Sequence, residues 1–323
     1  MKKSAKVSIV IPCYNCEELV TQTLESLERQ TYKNFEVICV NDGSKDNTYN
    51  LLLDYAKQST LNMRIFTQEN CGVSKTRNRA IYEAQGEYVL FLDADDMYHN
   101  RFIEYLLGAI EETKADVAYC RLNRDLDVVM NFSSDVRVVC QNQSEAMHNL
   151  LYRMGEFGFY CYVYKKDVLN RTNLQFDENT RFFEDREFNW KYLCHCNSAV
   201  LVDAPLYWYR VNPDSVTQNI NKRKEWRVDG LNAVLRVEQY LQENNCEFYT
   251  EVKSYLFARV LWGSAMRYSR AGRKDFLKRL ANEYDVKTCM KQVKKDKNWM
   301  VRLSARMYLI SPTLFYHIVR LKR

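Results

Sequence analysis

Three carboxylates stand within four positions at Asp93-Ala94-Asp95-Asp96, directly after the apolar run Tyr88–Leu92. The run predicts a short strand that is buried on both faces. A protein interior does not accept this many clustered negative charges unless a positive group neutralises them. Oxygen ligands on a short loop are typical of Mg²⁺ or Mn²⁺ sites that substrate phosphates complete. The alternative interpretation is a solvated acidic turn before a helix that begins near Asn100.

Polar and aromatic residues also follow two earlier predicted strands. Pro12, Tyr14 and Asn15 come at the end of the first strand, and Asn41 and Asp42 at the end of the second. Ligands of open α/β sheets bind at the carboxyl ends of the strands. An aromatic ring, a carboxylate that accepts from a base N–H and an acidic metal loop together fit a nucleoside diphosphate. No G-x-G-x-x-G or Walker A sequence is present, which argues against dehydrogenases and P-loop enzymes.

The elements that must position these residues alternate between strand and helix. The pattern predicts strands at 7–12, 35–40, 63–67 and 88–92, with helices at about 17–30, 47–57 and 74–84 between them. This alternation predicts an α/β fold with a parallel sheet and helices on both of its faces.

Several of these segments resemble the family 2 glycosyltransferases of GT-A fold, the inverting, bacterial type. The resemblance covers roughly residues 6–120 and is carried by Val7–Asn15, Gln30–Tyr32, Val40–Asn47, Asn70–Ser74 with Arg77-Asn78, and Gly86–Asp96. It implies a Rossmann-like, mostly parallel sheet flanked by helices. It also implies that the chain transfers a sugar from a nucleotide-diphosphate donor.

The resemblance gives the residues of the first two strand ends a role in nucleotide binding. Pro12, Tyr14 and Asp42 match positions that hold the uracil or other base, and Asn15 lies in the same motif.

The resemblance also identifies the acidic loop as a metal and diphosphate site. The triplet Asp93-Ala94-Asp95 matches the D-x-D motif, in which Asp95 and Asp96 would lie nearest to Mg²⁺ or Mn²⁺ and the diphosphate. Arg77 and Asn78 match a pair that faces the donor, and an arginine there offsets diphosphate charge. Taken alone, Arg77 is more typical of a helix surface.

A second acidic pair, Glu184-Asp185, lies between Phe182-Phe183 and a helical segment. In the resemblance Asp185 is the catalytic base that takes the proton of the acceptor hydroxyl, with Glu184 beside it, and inversion at C1 follows. An apolar setting raises the pKa of a carboxylate and makes it a better base. The alternative is a pair favoured only by the helix dipole.

Some relatives carry a metal-binding histidine after a Tyr-Arg pair, whereas Val211 follows Tyr209-Arg210 here.

The charge distribution separates the two ends of the chain. Residues 222–323 hold 23 basic and 10 acidic side chains, whereas the whole 323-residue chain has a net charge of only +6. Basic amphipathic helices with Trp299, Met300, Leu303, Met307 and Ile310 on one face predict contact with an anionic membrane surface. The alternative is a helical subdomain that packs on the catalytic domain. Zinc-finger spacing and RNP-like motifs are absent from the basic half, which disfavours nucleic acid.

The sequence therefore predicts a GT-A catalytic domain over residues 1–220, with a donor half at 6–120 and an acceptor half at 121–220. A basic helical region follows over 221–323. Eleven scattered cysteines and the lack of a signal segment favour a cytoplasmic protein, peripheral at the inner face of the membrane. The predicted activity is sugar transfer from a UDP-sugar to a glycan or lipid-linked acceptor. The alternatives are a non-catalytic nucleotide-sugar-binding protein, favoured if Glu184-Asp185 lies far from Asp93–Asp96, and a nucleotidyltransferase.

Overall fold

A computed structural model describes residues 5–153, 156–211 and 226–321 of the chain. The chain forms two compact units. The first consists of residues 1–179 and 184–212, and the second of residues 180–183 and 213–323. The predicted domain boundary at residue 220 lies outside the described residues.

The described part of the first unit holds one nine-stranded sheet. Its strands are β1 (Val7–Cys13), β2 (Phe35–Asp42), β3 (Met63–Gln68), β4 (Tyr88–Phe91), β5 (Met97–Tyr98), β6 (Val117–Asn123), β7 (Val138–Asn142), β8 (Tyr162–Lys165) and β9 (Ser198–Trp208). The sheet order is β3-β2-β1-β4-β8-β6-β9-β5, and β7 also pairs with β9.

The prediction of a mostly parallel sheet describes the first half of the sheet better than the second. Strands β1 to β4 pair in parallel, as the strand–helix alternation predicted. Beyond β4, antiparallel pairings join β4 to β8, β8 to β6, and β9 to β5 and β7, while β6 and β9 are parallel. The whole sheet is therefore mixed. The α/β class and the helical C-terminal region are confirmed.

The helices of the first unit lie between these strands. They are α1 (Val20–Glu28), α2 (Thr48–Gln58), α3 (Val73–Glu83), α4 (Phe102–Thr113), α5 (Leu126–Met130), α6 (Gln143–Tyr152), α7 (Lys166–Thr172) and α8 (Glu184–Leu193). The predicted helix at 17–30 is shorter at both ends. The strand predicted at 7–12 extends one residue further, to Cys13.

Six helices form the described part of the second unit beyond residue 225. They are α9 (Trp226–Glu243), α10 (Tyr249–Arg270), α11 (Lys274–Glu283), α12 (Val286–Val293), α13 (Trp299–Ile310) and α14 (Pro312–Leu321). They enclose their own apolar core, in which Leu261, Met290, Ala305 and Phe315 are fully buried. Among the described helices, none has the length and apolar composition needed to cross a bilayer.

Candidate active site

The ends of β1, β2 and β4 meet at one edge of the sheet because β1 lies between the other two. Cys13 pairs with Asn41, so Tyr14 and Asp42 follow from neighbouring positions. On the other side of β1, Val10 pairs with Phe91, the last residue of β4 and two positions before Asp93. The structure therefore brings the predicted nucleotide and metal residues to the same edge.

Asp42 is the anchor of the loop that follows β3. Its carboxylate accepts hydrogen bonds from the Gln68 side chain at 2.9 Å and from the backbone N–H groups of Cys71 and Gly72 at 3.0 and 2.9 Å. Burial raises the pKa of Asp42, but these hydrogen bonds outweigh burial and lower the pKa below its ordinary value. The group therefore stays ionised. The contact of Asp42 with a base remains a prediction, and no sequence motif had pointed to Gln68.

The other residues predicted to bind the base lie beside this anchor. Tyr14 is 48% exposed and its ring is free to meet a ligand, whereas Pro12 is half-buried in β1. Asn15 has a φ of +47°, in the left-handed region that asparagine tolerates better than most residues. Its backbone N–H donates to the Ser44 hydroxyl and its side-chain oxygen accepts from the Lys45 N–H. Asn15 thus ties the loop after β1 to the loop after β2.

Helix α1 supports the acidic loop through the side chain of Thr23. The Thr23 hydroxyl contacts the carbonyl oxygens of Ala94 and Asp96, at 3.0 and 2.8 Å. Burial, and then the charge of Asp93, raise the pKa of Asp95 to about 6. A carboxylate that is costly to ionise is one that a bound cation would stabilise.

Asp96 differs from its neighbours because the protein already occupies both of its carboxylate oxygens. One oxygen accepts from the Tyr207 hydroxyl at 2.6 Å, and the other from the backbone N–H of Arg210 at 2.8 Å. The Arg210 guanidinium donates to the carbonyl oxygen of Asp95 at 2.8 Å. The end of β9 therefore fixes the acidic loop. The ring of Tyr207 is fully buried.

The donor set fits a divalent cation in part. The described residues contain no group of three or more His, Cys, Asp or Glu side chains arranged to hold a metal ion. Asp93 and Asp95 supply carboxylate oxygens, and Mg²⁺ is commonly bound by one or two carboxylates with substrate phosphates and water. The metal role predicted for Asp93, Asp95 and Asp96 remains a prediction, and Asp96 is the member with the least free coordination capacity.

Arg77 lies at the centre of the site. Its side chain is 4% exposed, so it is not the helix-surface residue that its sequence position alone suggested. The guanidinium donates to Asp93 at 3.0 Å and to Glu184 at 3.3 Å, and it lies 4.3 Å from the centroid of the Phe159 ring. One buried cation thus connects the acidic loop after β4 with the acidic pair that begins α8.

The acidic pair on α8 has two different environments. Burial, and then the charge of Asp185, raise the pKa of Glu184 to about 7, although Arg77 opposes the shift. Asp185 accepts a hydrogen bond from the backbone N–H of Arg186 at 2.7 Å and makes no ion pair with Arg77. Glu184 therefore pairs with the arginine, and the role of Asp185 as the base remains a prediction.

Asn78, predicted to face the donor, is engaged with the protein backbone. Its amide oxygen accepts from the Phe176 N–H at 2.8 Å and its amide nitrogen donates to the Phe176 carbonyl at 2.9 Å. This two-way contact holds the segment after α7 against α3. A direct contact with the donor remains a prediction.

Comparison with known proteins identifies the family of the chain. The model of the family described as "Glycosyl transferase family 2" matches residues 8–193. The chain belongs to that family, which confirms the class of enzyme predicted from the sequence.

Among its relatives is the uncharacterized glycosyltransferase EpsJ of Bacillus subtilis, 34% identical over 224 residues, 66% of this chain and 63% of EpsJ. The putative glycosyltransferase EpsH of the same organism is 27% identical over 283 residues, 85% of this chain and 81% of EpsH.

Solved structures confirm the GT-A fold. Staphylococcus aureus TarS 1-349, solved in complex with UDP-GlcNAc, covers 98% of this chain and 90% of its own with a TM-score of 0.59 and 19% identity. The mannosyltransferase PcManGT of Pyrobaculum calidifontis, solved with GDP-Man and Mn²⁺, covers 99% of this chain and 88% of its own, with a TM-score of 0.55 and 13% identity. At these identities the likeness concerns the fold alone.

Proposed function

We propose that this chain is an inverting, metal-assisted glycosyltransferase. It moves a sugar from a nucleoside diphosphate donor, for which a UDP-sugar is the leading candidate, to a hydroxyl of a glycan or lipid-linked acceptor in surface polysaccharide synthesis. The observation that carries the proposal is the ion pairing of Arg77 with both Asp93 and Glu184. A single displacement requires the donor site and the base that deprotonates the acceptor to lie next to each other, and a shared arginine places the two acidic groups in that relation.

The reaction is a single displacement at C1 of the donor sugar. Asp185 accepts the proton of the acceptor hydroxyl while the acceptor oxygen forms its bond to C1. The bond from C1 to the diphosphate oxygen breaks, and the electron pair leaves with the diphosphate. Attack opposite to the leaving group inverts the configuration at C1. A divalent cation held by Asp95 and Asp93 would neutralise the departing diphosphate.

The buried arginine acts through its two carboxylate partners. Because Arg77 is ion-paired on both sides, its charge is already balanced before a donor arrives. Its role in this proposal is to keep the donor loop and the start of α8 in a fixed relation, which positions Asp185 for attack.

The relatives support the choice of donor and acceptor. TarS is named as a poly(ribitol-phosphate) β-N-acetylglucosaminyltransferase, 26% identical over 63% of this chain and 35% of TarS. UDP is the nucleotide of its donor complex. All eleven cysteines of this chain are free thiols, which fits work in the reducing cytoplasm.

The non-catalytic alternative required the acidic pair to lie far from the acidic loop. That condition is not met, since Asp93 and Glu184 contact the same guanidinium.

The test is release of free nucleoside diphosphate from a panel of nucleotide sugars in the presence of Mn²⁺ or Mg²⁺ and acceptor extracts. We expect one donor to be turned over, and Asp185→Asn to reduce the rate at least about 100-fold while donor binding is kept. Asp95→Ala should weaken donor binding as well as turnover. Asp54→Asn, which removes an exposed carboxylate from α2, is the matched control. Turnover that survives Asp185→Asn would refute the assignment of the base.

A further inference from the structure

The last two helices turn apolar side chains towards solvent. On α13, Val301, Ala305 and Tyr308 pack into the core of the second unit, while Trp299 and Ile310 are 61% and 79% exposed. Six of the fourteen large apolar side chains that are exposed in the described chain lie in these two helices: Trp299, Met300, Leu303, Ile310, Leu314 and Leu321. We define these six as the C-terminal apolar face.

On each helix these exposed apolar side chains share one side, where Arg306 and His317 are exposed among them. Trp299, Leu303 and Ile310 recur at helical spacing on α13, and Leu314 and Leu321 at a spacing of seven on α14. Single exposed apolar residues are ordinary, but a contiguous set marks an interaction surface. The sequence predicted that these α13 side chains share a face. Only the structure shows that this face points outward.

Basic side chains border the face. A shallow open cavity of about 430 Å³ is lined by Lys294, Lys295 and Arg306 together with Leu309 and Ile310. From residue 294 to residue 323 the chain contains one acidic residue, Asp296. That carboxylate is buried and paired with Arg259 at 3.1 Å. Residues 294–323 therefore contribute basic side chains to this surface, and the one acidic side chain of the segment is buried.

These charges discriminate between the candidate occupants of the face. A symmetric contact between two copies would bring Lys294, Lys295 and Arg306 near the same residues of the partner, and like charges disfavour that pairing. An anionic surface with an apolar layer behind it can bind both the basic side chains and the C-terminal apolar face. Aliphatic side chains enter the boundary between headgroups and acyl chains, tryptophan prefers that boundary, and lysine and arginine meet the phosphates.

We propose that α13 and α14 dock the protein on a bilayer surface rich in anionic phospholipid, with the C-terminal apolar face inserted at the headgroup level and Lys294, Lys295 and Arg306 on the phosphates. The docking is reversible, as expected for an interfacial helix pair without a spanning segment. It does not depend on the donor or on catalysis, so it stands or fails separately from the proposed enzyme activity.

The experiment measures co-sedimentation of the full chain with vesicles of phosphatidylcholine, with or without phosphatidylglycerol. Binding is expected only with phosphatidylglycerol, and it should weaken as salt is added. Lys294→Gln/Lys295→Gln should lower the partition coefficient roughly 25-fold, since each basic side chain near such a surface contributes a factor of about 5. Leu303→Ser/Ile310→Ser should lower it at least about tenfold by removing inserted apolar area.

Two control variants match these changes at other exposed positions. Lys57→Gln/Lys114→Gln removes the same charge from the first unit, and Val128→Ser/Leu235→Ser removes similar exposed apolar side chains. Both controls should bind vesicles as the parent does, and circular dichroism melting should show that all variants are folded.

Equal binding to vesicles with and without phosphatidylglycerol would overturn the proposal, as would full binding by both surface variants. Sedimentation velocity that shows a dimer broken by the same variants, with no vesicle binding, would assign the face to a second copy of the chain.

Discussion

Replacing Arg77 by methionine tests the central ion-pair arrangement of the site. The side chain is 4% exposed and is ion-paired with Asp93 and Glu184. Methionine keeps much of the volume but removes the cation, so two carboxylates remain in a largely buried site without a partner. Removing one partner of a buried ion pair costs about 3–5 kcal/mol of the free energy of unfolding.

The cost should depend on pH, and its sign follows from Glu184. The pKa of Glu184 is about 7, above its ordinary value of 4.5. Between pH 4.5 and about pH 7, Glu184 holds a proton in the folded state that it has released in the unfolded state. The free energy of unfolding of the parent therefore falls by about 1.4 kcal/mol per pH unit as pH rises to about 7, and then levels off.

Without Arg77 the pKa of Glu184 rises further, because the guanidinium is the group that lowers it. The fall in stability then continues above pH 7. The difference between the parent and Arg77→Met should grow by about 1 kcal/mol between pH 7 and pH 8. Urea denaturation at several pH values measures this difference.

Two further variants make the result specific. Arg77→Met/Glu184→Gln should lose the growth above pH 7, because the titrating group is gone. Arg79→Met, in the same helix, is the control: Arg79 donates to the Thr67 carbonyl at 2.8 Å and to the neutral side chain of Gln68. Its effect should not change with pH. A pH-independent cost for Arg77→Met would refute the assignment of Arg77 as the cation that keeps Glu184 ionised.

Three other predictions concern the strand ends. Because the pKa of Asp95 is about 6, the affinity for Mn²⁺ with nucleoside diphosphate should fall about tenfold per pH unit below 6, and Asp95→Asn should abolish this dependence in calorimetric titrations. Tyr207→Phe removes a donor from the buried Asp96 and should cost about 1–3 kcal/mol in urea denaturation. Gly43→Ala puts a methyl group 2.7 Å from the backbone nitrogen of Asn70 at a φ of +66°, and should lower stability by about 1–3 kcal/mol.

The outcomes that contradict these predictions are also specific. Metal affinity that is constant from pH 5 to pH 7 would mean that Asp95 does not titrate with the site. An unchanged urea midpoint for Tyr207→Phe would show that the hydroxyl does not stabilise the Asp96 carboxylate. If Gly43→Ala is neutral, the turn before α2 adjusts without strain.

The sequence by itself determined the first half of the sheet and the position of the site at its edge. Polar residues stand at the end of β2 and shortly after the ends of β1 and β4, and parallel strands place their carboxyl ends side by side. The motifs at these strand ends also predicted the family, and the matched family model confirms that prediction. These features are local in sequence, so patterns of a few residues were enough to find them.

Only the tertiary structure decided how the distant parts of the chain meet. Arg77 is 107 positions from Glu184, and Asp96 is 111 positions from Tyr207. No local sequence pattern predicts either contact. Each contact depends on how elements that are more than 100 residues apart in sequence pack together. The exposed face of α13 is also decided by the tertiary structure. The sequence pattern showed which side chains share a face, but the helices that pack against α13 determine which face is buried in the core.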